Sequence, residues 1–246
     1  MEESREPAAY EPREVNKPWP ILDILVGLGL LVVLALGQRL SFAGLGPQRA
    51  QLYQFAVVIF SLASLILYAL HQCRKWRLWP LFERRPLVKL AKEFAVSSWY
   101  MFLILFVCGA ILFIPALILK PGLGRPDALG DMGTASHKGV FIALLVTAIT
   151  VGPVAEELFF RGFLYNALKS RLSVAWAAGL QSLAFAAFHQ YDLFNSLRIF
   201  LFGLAFVVIY ERRKTLLAPI SAHVFVNLVA TLPLLVVTVF DIHPRF

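Results

Sequence analysis

Residues 148–168 read AITVGPVAEELFFRGFLYNAL, an apolar stretch that carries Glu156, Glu157 and Arg161 near its middle. One interpretation is a helix that ends at a membrane surface, with its three charges among lipid headgroups. The apolar run resumes directly after Arg161, which disfavours that interpretation. An ionisable side chain inside such a run is costly unless it faces other protein or water. The stretch therefore predicts a membrane helix whose charges point into a helical bundle.

The rest of the chain has the same apolar character. Of its 246 residues, 59% are hydrophobic and 15% are charged, whereas soluble domains are about 25% charged. The mean hydropathy of +0.72 is too high for a soluble protein of this length. About seven apolar runs approach the roughly 20 residues that cross a bilayer, and helix is their expected state. We predict an all-α, polytopic transmembrane bundle with spans at 20–39, 51–72, 94–119, 139–167, 174–191, 195–210 and 216–240.

The chain divides into a short tail and one membrane domain. Residues 1–18 are polar and acidic and are predicted to be a disordered cytoplasmic tail. Residues 19–246 are predicted to form a single integral-membrane domain, and its functional core is expected at 139–240, in the last four spans. The first apolar run is too long, and its flank too acidic, for a cleaved signal peptide. Cys73 and Cys108 lack metal-type spacing, so neither a disulfide nor a cysteine-bound metal is expected.

The positive charge predicts how the bundle lies in the membrane. Lys and Arg number 23 against 15 Asp and Glu, which gives a formal charge of +8. The basic residues lie between apolar runs, so lipid rather than nucleic acid is the expected partner. The basic segments 74–92, 169–171 and 212–214 fall on one side of the membrane if the amino terminus is cytoplasmic. Short loops favour a prokaryotic inner membrane as the location of this multi-pass protein.

Helical spacing gives the two neighbouring carboxylates different surroundings. Glu157 and Arg161 are four residues apart and can form an ion pair on one helix face. Glu156 is rotated by about 100° from Glu157, so it is left free to point into a cavity. Gly152 and Pro153, one turn earlier, are expected to kink or loosen the helix.

Two later apolar runs carry polar side chains at the same spacing. Phe185 and His189 are four residues apart in the fifth run, and His223 and Asn227 are four apart in the seventh. Taken singly, each could be an interfacial, core or interhelical contact. Taken with Glu156, they supply four polar groups from three helices, and we expect these groups to converge on one cavity.

This set of side chains is sufficient to hydrolyse a carbonyl compound. A carboxylate in a partly dry pocket is a general base for water, and histidines can share its proton or bind a metal. An asparagine amide can donate a hydrogen bond to an oxyanion. No Ser or Cys shares a helix face with a His, which disfavours an acyl-enzyme. The chain also lacks an HExxH motif and a Gly-rich phosphate loop.

Three motifs give a family resemblance. EELFFR (156–161) fits EExxxR, FAAFH (185–189) fits FxxxH, and HVFVN (223–227) fits HxxxN. Their order and their placement on successive spans resemble the CPBP family of intramembrane proteases, which includes CAAX-processing and Abi (bacteriocin-processing) proteins. The resemblance covers about 140–230, and the first three spans carry no motif that fits.

The resemblance implies a CAAX-protease-like endopeptidase that cuts a peptide or a membrane-anchored protein. A lipidated peptide or protein is one of the possible substrates. Glu156 would be the essential catalytic carboxylate, and His189 would help it activate water. His223 and Asn227 would stabilise the oxyanion.

The resemblance also implies supporting residues, and it leaves open whether the site binds a metal. Arg161 would hold Glu157 and the local structure, and Phe185 belongs to the second motif. The family is described both as metalloprotease and as glutamate-type. We prefer direct activation of water without a required cofactor. Zn²⁺ held by Glu156, His189 and His223 is the alternative.

Two other classes of function remain as hypotheses. A non-proteolytic relative, acting as an immunity factor or scaffold, is expected to lose a catalytic residue, and none is lost here. A proton-coupled transporter would also place carboxylates and histidines inside the membrane. It favours inverted repeats with paired broken helices, and the sequence contains no such repeat.

Overall fold

The computed structural model describes residues 18–39, 46–76, 87–108 and 138–240. Within these ranges all regular structure is helical, so the predicted all-α class is confirmed. The elements are α1 (Ile21–Gln38), α2 (Pro47–Lys75), α3 (Leu87–Cys108), α4 (Lys138–Ile149), α5 (Val151–Glu157), a π-helix (Leu158–Tyr165), α6 (Asn166–Lys169), α7 (Val174–His189), α8 (Leu193–Arg213) and α9 (Leu217–Val239).

The described helices have the lengths and surfaces of membrane spans. α7 is apolar but shorter than a full span, and residues 109–119 of the predicted third span lie outside the described residues, so the predicted seven spans are an approximate count. Large apolar side chains such as Phe106 and Trp176 lie on outer faces. Among the described residues, five stretches are long and apolar enough to cross a bilayer: Ile21–Gln38, Arg49–Lys75, Lys138–Lys169, Leu193–Arg213 and Leu217–Val236. The chain is therefore an integral membrane protein.

Helix extends into both ends of the basic segment 74–92, so the connection between α2 and α3 is shorter than this segment. Arg74 and Lys75 form the last turn of α2, where positive charge stabilises the end of the helix dipole. Lys89 and Lys92 already lie in the first turns of α3. The rest of this segment, with Arg77, Trp79, Arg84 and Arg85, lies outside the described residues, as do residues 1–17 of the predicted tail 1–18.

The stretch 138–169 changes its helical geometry twice. α4 ends at Ile149 and α5 begins at Val151, so the predicted kink lies at Thr150. Pro153 thus occupies the first turn of α5, where a missing N–H costs little. The π-helix follows directly, and its eight residues are all buried. At its end the Asn166 side-chain amide donates to the carbonyls of Arg161 (2.7 Å) and Gly162 (3.0 Å), which stabilises the widened turns.

The amino-terminal helix is fixed to the turn after α6. The Trp19 backbone N–H donates to Ser170 Oγ at 3.0 Å, and the Arg171 guanidinium donates to the Trp19 carbonyl at 2.6 and 2.9 Å. The Trp19 ring stacks on Trp76 with centroids 4.9 Å apart, so Trp76 is half-buried against the core. Asp23 forms an ion pair of 2.7 Å with Lys75 at the end of α2.

Close helix packing encloses the stretch 138–169. α2, α7 and α9 all contact it, and α7 packs along α8. The α7–α8 approach depends on Gly203, because a Cβ at this position would lie 2.8 Å from Ser182 Cβ. Ser182 belongs to a row of small residues on α7, with Ala178 and Ala186, which gives the smooth face that close packing requires.

Gly203→Ala is expected to lower the melting temperature of the protein, because the new methyl forces α7 and α8 apart. Overpacking of this kind typically costs about 1–3 kcal/mol. Gly179→Ala on α7 is the matched control, since a Cβ there would meet none of the described residues packed against α7 within 4 Å. Alanine favours helix over glycine by roughly 0.5–1 kcal/mol. Thermal unfolding in one detergent compares the variants, and equal melting temperatures would contradict the close approach.

Candidate active site

A cavity of about 680 Å³ opens among α2, α4, α5, α7, α8 and α9. Apolar side chains such as Leu62, Leu145 and Phe202 form much of its wall, as in most small-molecule and peptide sites. The structure brings all four sequence-predicted catalytic side chains to this one cavity. The polar residues on its wall are Thr147, Glu156, His189, Tyr191, Arg198, His223, Asn227 and Thr231.

Beside the cavity, Glu157 and Arg161 form an ion pair that is shielded from solvent. Arg161 Nη1 lies 2.9 Å from Glu157 Oε1, and both side chains are 0% exposed. Arg161 Nη2 donates to the Gly203 carbonyl at 3.1 Å. The guanidinium also lies 4.6 Å from the Phe185 ring and 5.0 Å from the Phe206 ring, in cation–π contact with both. The pair therefore joins α5 and the π-helix to α7 and α8.

Glu156 points away from this pair and into the cavity. Its Oε2 lies 3.7 Å from His189 Nε2 and 3.8 Å from His223 Nε2. The same oxygen is shielded from solvent and accepts no hydrogen bond from the described residues. The two neighbouring carboxylates thus have the different surroundings that helical spacing predicts.

Hydrogen bonds to Nδ1 fix the orientation of both imidazoles. His189 Nδ1 lies 2.8 Å from the Phe185 carbonyl oxygen, which can only accept, so this nitrogen carries a proton. His223 Nδ1 lies 2.9 Å from Glu157 Oε1, a carboxylate oxygen that also accepts from Arg161. A neutral imidazole with its N–H at Nδ1 has a lone pair at Nε2. Both Nε2 atoms lie within 4 Å of Glu156 Oε2, so in that form three acceptor atoms lie together on the cavity wall.

Aromatic rings hold the two imidazoles from the side. Phe206 stacks on His223, with ring centroids 4.7 Å apart and an interplanar angle of 22°. Phe185 contacts His189 edge-to-face at 4.7 Å and His223 at 5.9 Å. Phe185, a predicted supporting residue, thus touches both imidazoles. Phe206 was not singled out from the sequence, because an aromatic side chain in an apolar helix carries no distinctive signal.

Asn227 connects α9 to the end of α4. Its side-chain Nδ2 donates to the Ala148 carbonyl at 2.8 Å. Ala148 lies in the last turn of α4, where carbonyls lack an intrahelical partner. The break at Thr150 therefore creates the acceptor that orients this amide. An asparagine amide has two N–H donors, so the second can serve another acceptor in the cavity.

The convergent groups are of the types that bind zinc, but their spacing does not form a ready metal site. Two ligands of tetrahedral zinc, each about 2.05 Å from the ion, lie about 3.4 Å apart. The separations of Glu156 from His189 and His223, at 3.7 and 3.8 Å, are longer. In the described part of the chain no three His, Cys, Asp or Glu side chains are placed to hold a metal ion.

Tyr191 and Arg198 also line the cavity, and sequence reasoning missed both. The Tyr191 ring lies 6.0 Å from the His189 ring. Burial raises the pKa of the Tyr191 hydroxyl above its ordinary value, so this group stays neutral and can donate. Arg198 had a usable signal, because it is the single charge within the predicted sixth span, 195–210.

Comparisons with known proteins agree with these motifs. Residues 138–229 match the family model described as type II CAAX prenyl endopeptidase Rce1-like. A relative in Bacillus subtilis (strain 168), named "Putative membrane peptidase YdiL", is 31% identical over 106 residues. That alignment covers 43% of this chain and 43% of the relative, so it spans less than half of the relative's length. No solved structure matches the chain. The resemblance of this chain to the CPBP family of intramembrane proteases is therefore confirmed over residues 138–229.

Proposed function

We propose that this protein is an intramembrane endopeptidase that hydrolyses a peptide bond with water activated by Glu156. One observation carries the proposal. Glu156 Oε2 and the Nε2 atoms of His189 and His223 converge at 3.7 and 3.8 Å in a cavity between membrane helices. Three converging acceptors require a donor between them, and a water molecule supplies two O–H donors. The name of the B. subtilis relative also supports a peptidase.

In this proposal the converging acceptors orient water for attack on the scissile carbonyl. The water oxygen bonds to the carbonyl carbon while Glu156 takes one of the water protons. The carbonyl π electrons move to oxygen and form the oxyanion. Collapse of this tetrahedral species breaks the C–N bond, and the stored proton passes to the leaving amine. His189, within reach of Glu156, shares the proton during the transfer.

The oxyanion needs donors, and α9 supplies the candidates. Asn227 has a second N–H after its bond to the Ala148 carbonyl. His223 becomes an Nε2–H donor when it carries a second proton. The Glu157 carboxylate at Nδ1 stabilises that charged imidazolium, as the Asp of a Ser-His-Asp triad stabilises its histidine. Glu157 and Arg161 are thus positioning residues that act through His223.

The cofactor, substrate and membrane orientation are further parts of the proposal. Water activation by Glu156 needs no metal in this scheme, and zinc held by Glu156, His189 and His223 is the alternative. The substrate is a peptide or a membrane-anchored protein, with lipidated chains among the candidates. The basic segments 169–171 and 212–214 support a cytoplasmic amino terminus, in the inner membrane of a prokaryotic cell.

Glu156→Gln is expected to reduce hydrolysis of an internally quenched apolar peptide by roughly 10²–10⁴-fold, the usual effect of losing a general base. Glu211→Gln is the control, because Glu211 pairs with Lys169 and Lys214 and does not line the cavity. Melting temperatures show whether both variants fold. Equal turnover by wild type and Glu156→Gln would contradict the role of Glu156.

Glu157→Gln is expected to destabilise the protein by about 3–5 kcal/mol, because it leaves the Arg161 charge buried without its partner. Turnover should fall as well, since His223 loses the carboxylate charge beside Nδ1 that stabilises its imidazolium. The double variant Glu157→Gln/Arg161→Met should recover much of the stability but not the turnover. Thermal unfolding and peptide hydrolysis measure the two effects. Additive stability losses in the double variant would indicate that the two side chains are not coupled.

Metal content distinguishes the two ways of activating water. We expect purified wild type to carry far less than one zinc per chain and to keep its turnover after treatment with a chelator. Elemental analysis of wild type, His189→Ala and His223→Ala provides the measurement. Stoichiometric zinc in wild type that disappears from both variants would support the zinc alternative instead.

A further inference from the structure

His189 supplies one of the converging groups from the very end of its helix. It is the last residue of α7, and helix ends fray because their final carbonyls lack intrahelical partners. The bond between its Nδ1 and the Phe185 carbonyl lies within the same last turn, so the imidazole moves with that turn. The 3.7 Å separation of His189 Nε2 from Glu156 Oε2 therefore depends on a contact that fixes the end of α7.

The next residue, Gln190, joins this helix end to α1. Its backbone is in the left-handed region, at φ 55° and ψ 33°, so the chain turns sharply there. The neighbours His189 and Tyr191 line the cavity, whereas the Gln190 side chain reaches α1. Its Nε2 donates to the Ala35 carbonyl at 2.8 Å, and Arg39 Nε donates to its Oε1. Both polar atoms of the amide are thus bonded to the carboxyl end of α1.

The end of α1 has an open acceptor for this amide. The Arg39 backbone N–H bonds to the Leu36 carbonyl at 3.0 Å, one residue short of the α-helical partner. A tightened last turn of this kind leaves the Ala35 carbonyl open, and Gln190 Nε2 occupies it. Since an unpaired carbonyl away from water is costly, the two helix ends satisfy each other.

α1 is also joined to the amino-terminal side of α7. Trp19, just before α1, bonds to Ser170 and Arg171, which lie shortly before α7 begins at Val174. The two helices are in direct contact as well. α1 is therefore connected to both ends of the helix that carries His189, so it can set the position of the last turn.

We propose that Gln190 is a positioning residue that acts through His189, because its bonds to the carboxyl end of α1 hold the imidazole Nε2 beside Glu156. The inference rests on the proposed function, in which His189 shares the proton that Glu156 takes from water. It gives the first membrane span, which carries none of the three motifs, a part in catalysis. Outer contacts that orient metal-binding histidines change activity by about 10–100-fold, and an imidazole that shares a proton needs similarly exact placement.

The other role for Gln190 is that of a helix cap alone. A left-handed residue commonly ends a helix, and glycine suits that position best. Gln190→Gly should then be neutral or stabilising. If the side chain positions His189, the same substitution should impair catalysis although it favours the backbone. Lys214 provides the matched control, because among the described non-glycine residues it is the other one with a positive φ, and it ends α8 at φ 54°.

The test uses the full chain in lipid nanodiscs with the internally quenched apolar peptide. KM and kcat are measured for wild type, Gln190→Gly, Arg39→Ala and the double variant, with Lys214→Gly and Arg74→Ala as controls. Arg74 is an exposed arginine in the last turn of α2. Melting temperatures show whether each variant folds. Arg39→Ala, at an exposed position, tests the same contact without altering the cap of α7.

We expect Gln190→Gly to lower kcat roughly 10-fold, below the ~10²-fold that a displacement of 1 Å can cost. Its KM should stay within about twofold of wild type. Arg39→Ala should give a smaller loss, because the bond to the Ala35 carbonyl remains. The double variant should resemble Gln190→Gly, since both substitutions remove the same contact. Lys214→Gly and Arg74→Ala should keep the kcat of wild type.

Magnetic resonance of the imidazoles reports the position of His189 without any reaction. The chain has five histidines, and in protein labelled with ¹⁵N-histidine the His189 signals are those that His189→Ala removes. We expect Gln190→Gly to shift these signals. It should leave those of His223 in place, since Glu157 and Phe206 hold that imidazole. Lys214→Gly should shift neither set.

Four results overturn the inference. Gln190→Gly may keep the kcat of wild type, lose kcat without a shift of the His189 signals, or shift those signals without losing kcat. Fully additive losses in the double variant are the fourth, because Arg39 and Gln190 would then act separately.

The two proposals can fail separately. If the His189 signals shift in Gln190→Gly but no hydrolysis depends on Glu156, the positioning of His189 stands and the endopeptidase proposal fails. Hydrolysis that depends on Glu156 but is unchanged in Gln190→Gly gives the reverse result.

Discussion

The ion pair between Glu157 and Arg161 is the interaction on which the rest of the described structure depends. Both side chains are 0% exposed, and a buried charge is tolerated only with a close partner and satisfied hydrogen bonds. Arg161 also donates to the Gly203 carbonyl and contacts the rings of Phe185 and Phe206, while its Nε has no hydrogen-bond partner among the described residues. Glu157 Oε1 also bonds to His223 Nδ1, while Oε2 has no such partner there. Since these partners come from α7, α8 and α9, one pair sets the distances among the helices that surround the cavity.

The geometry of the candidate site follows from this pair and from the irregular backbone around it. Once Glu157 faces Arg161, its neighbour Glu156 must point in another direction, and that direction is the cavity. The helix break at Thr150 leaves the Ala148 carbonyl available to Asn227. The π-helix that begins at Leu158 is the second irregularity, and such turns are frequent at functional sites. Departures from regular α-helix thus lie on both sides of the proposed base.

Side chains of opposite charge line the cavity from different helices. Glu156 and the Nε2 atoms of His189 and His223 form an electron-rich part of the wall that suits a water molecule and its protons. Arg198 on α8 adds a cationic side chain to the wall of the same cavity. In a low-dielectric interior such groups act strongly on whatever lies between them.

The sequence by itself determined the fold class, the pairing of Glu157 with Arg161 and the separate direction of Glu156, because these follow from composition and from the 3.6-residue period of one helix. The motifs also identified His189, His223 and Asn227 as members of one cavity. Contacts between helices were decided only by the tertiary structure. They include the bond of His223 to Glu157, the stacking of Phe206, the Asn227 bond to Ala148 across 79 residues, and the place of Arg198 on the cavity wall. These depend on the rotation, tilt and depth of each helix against its neighbours, and close packing fixes those quantities without leaving a local pattern in the chain.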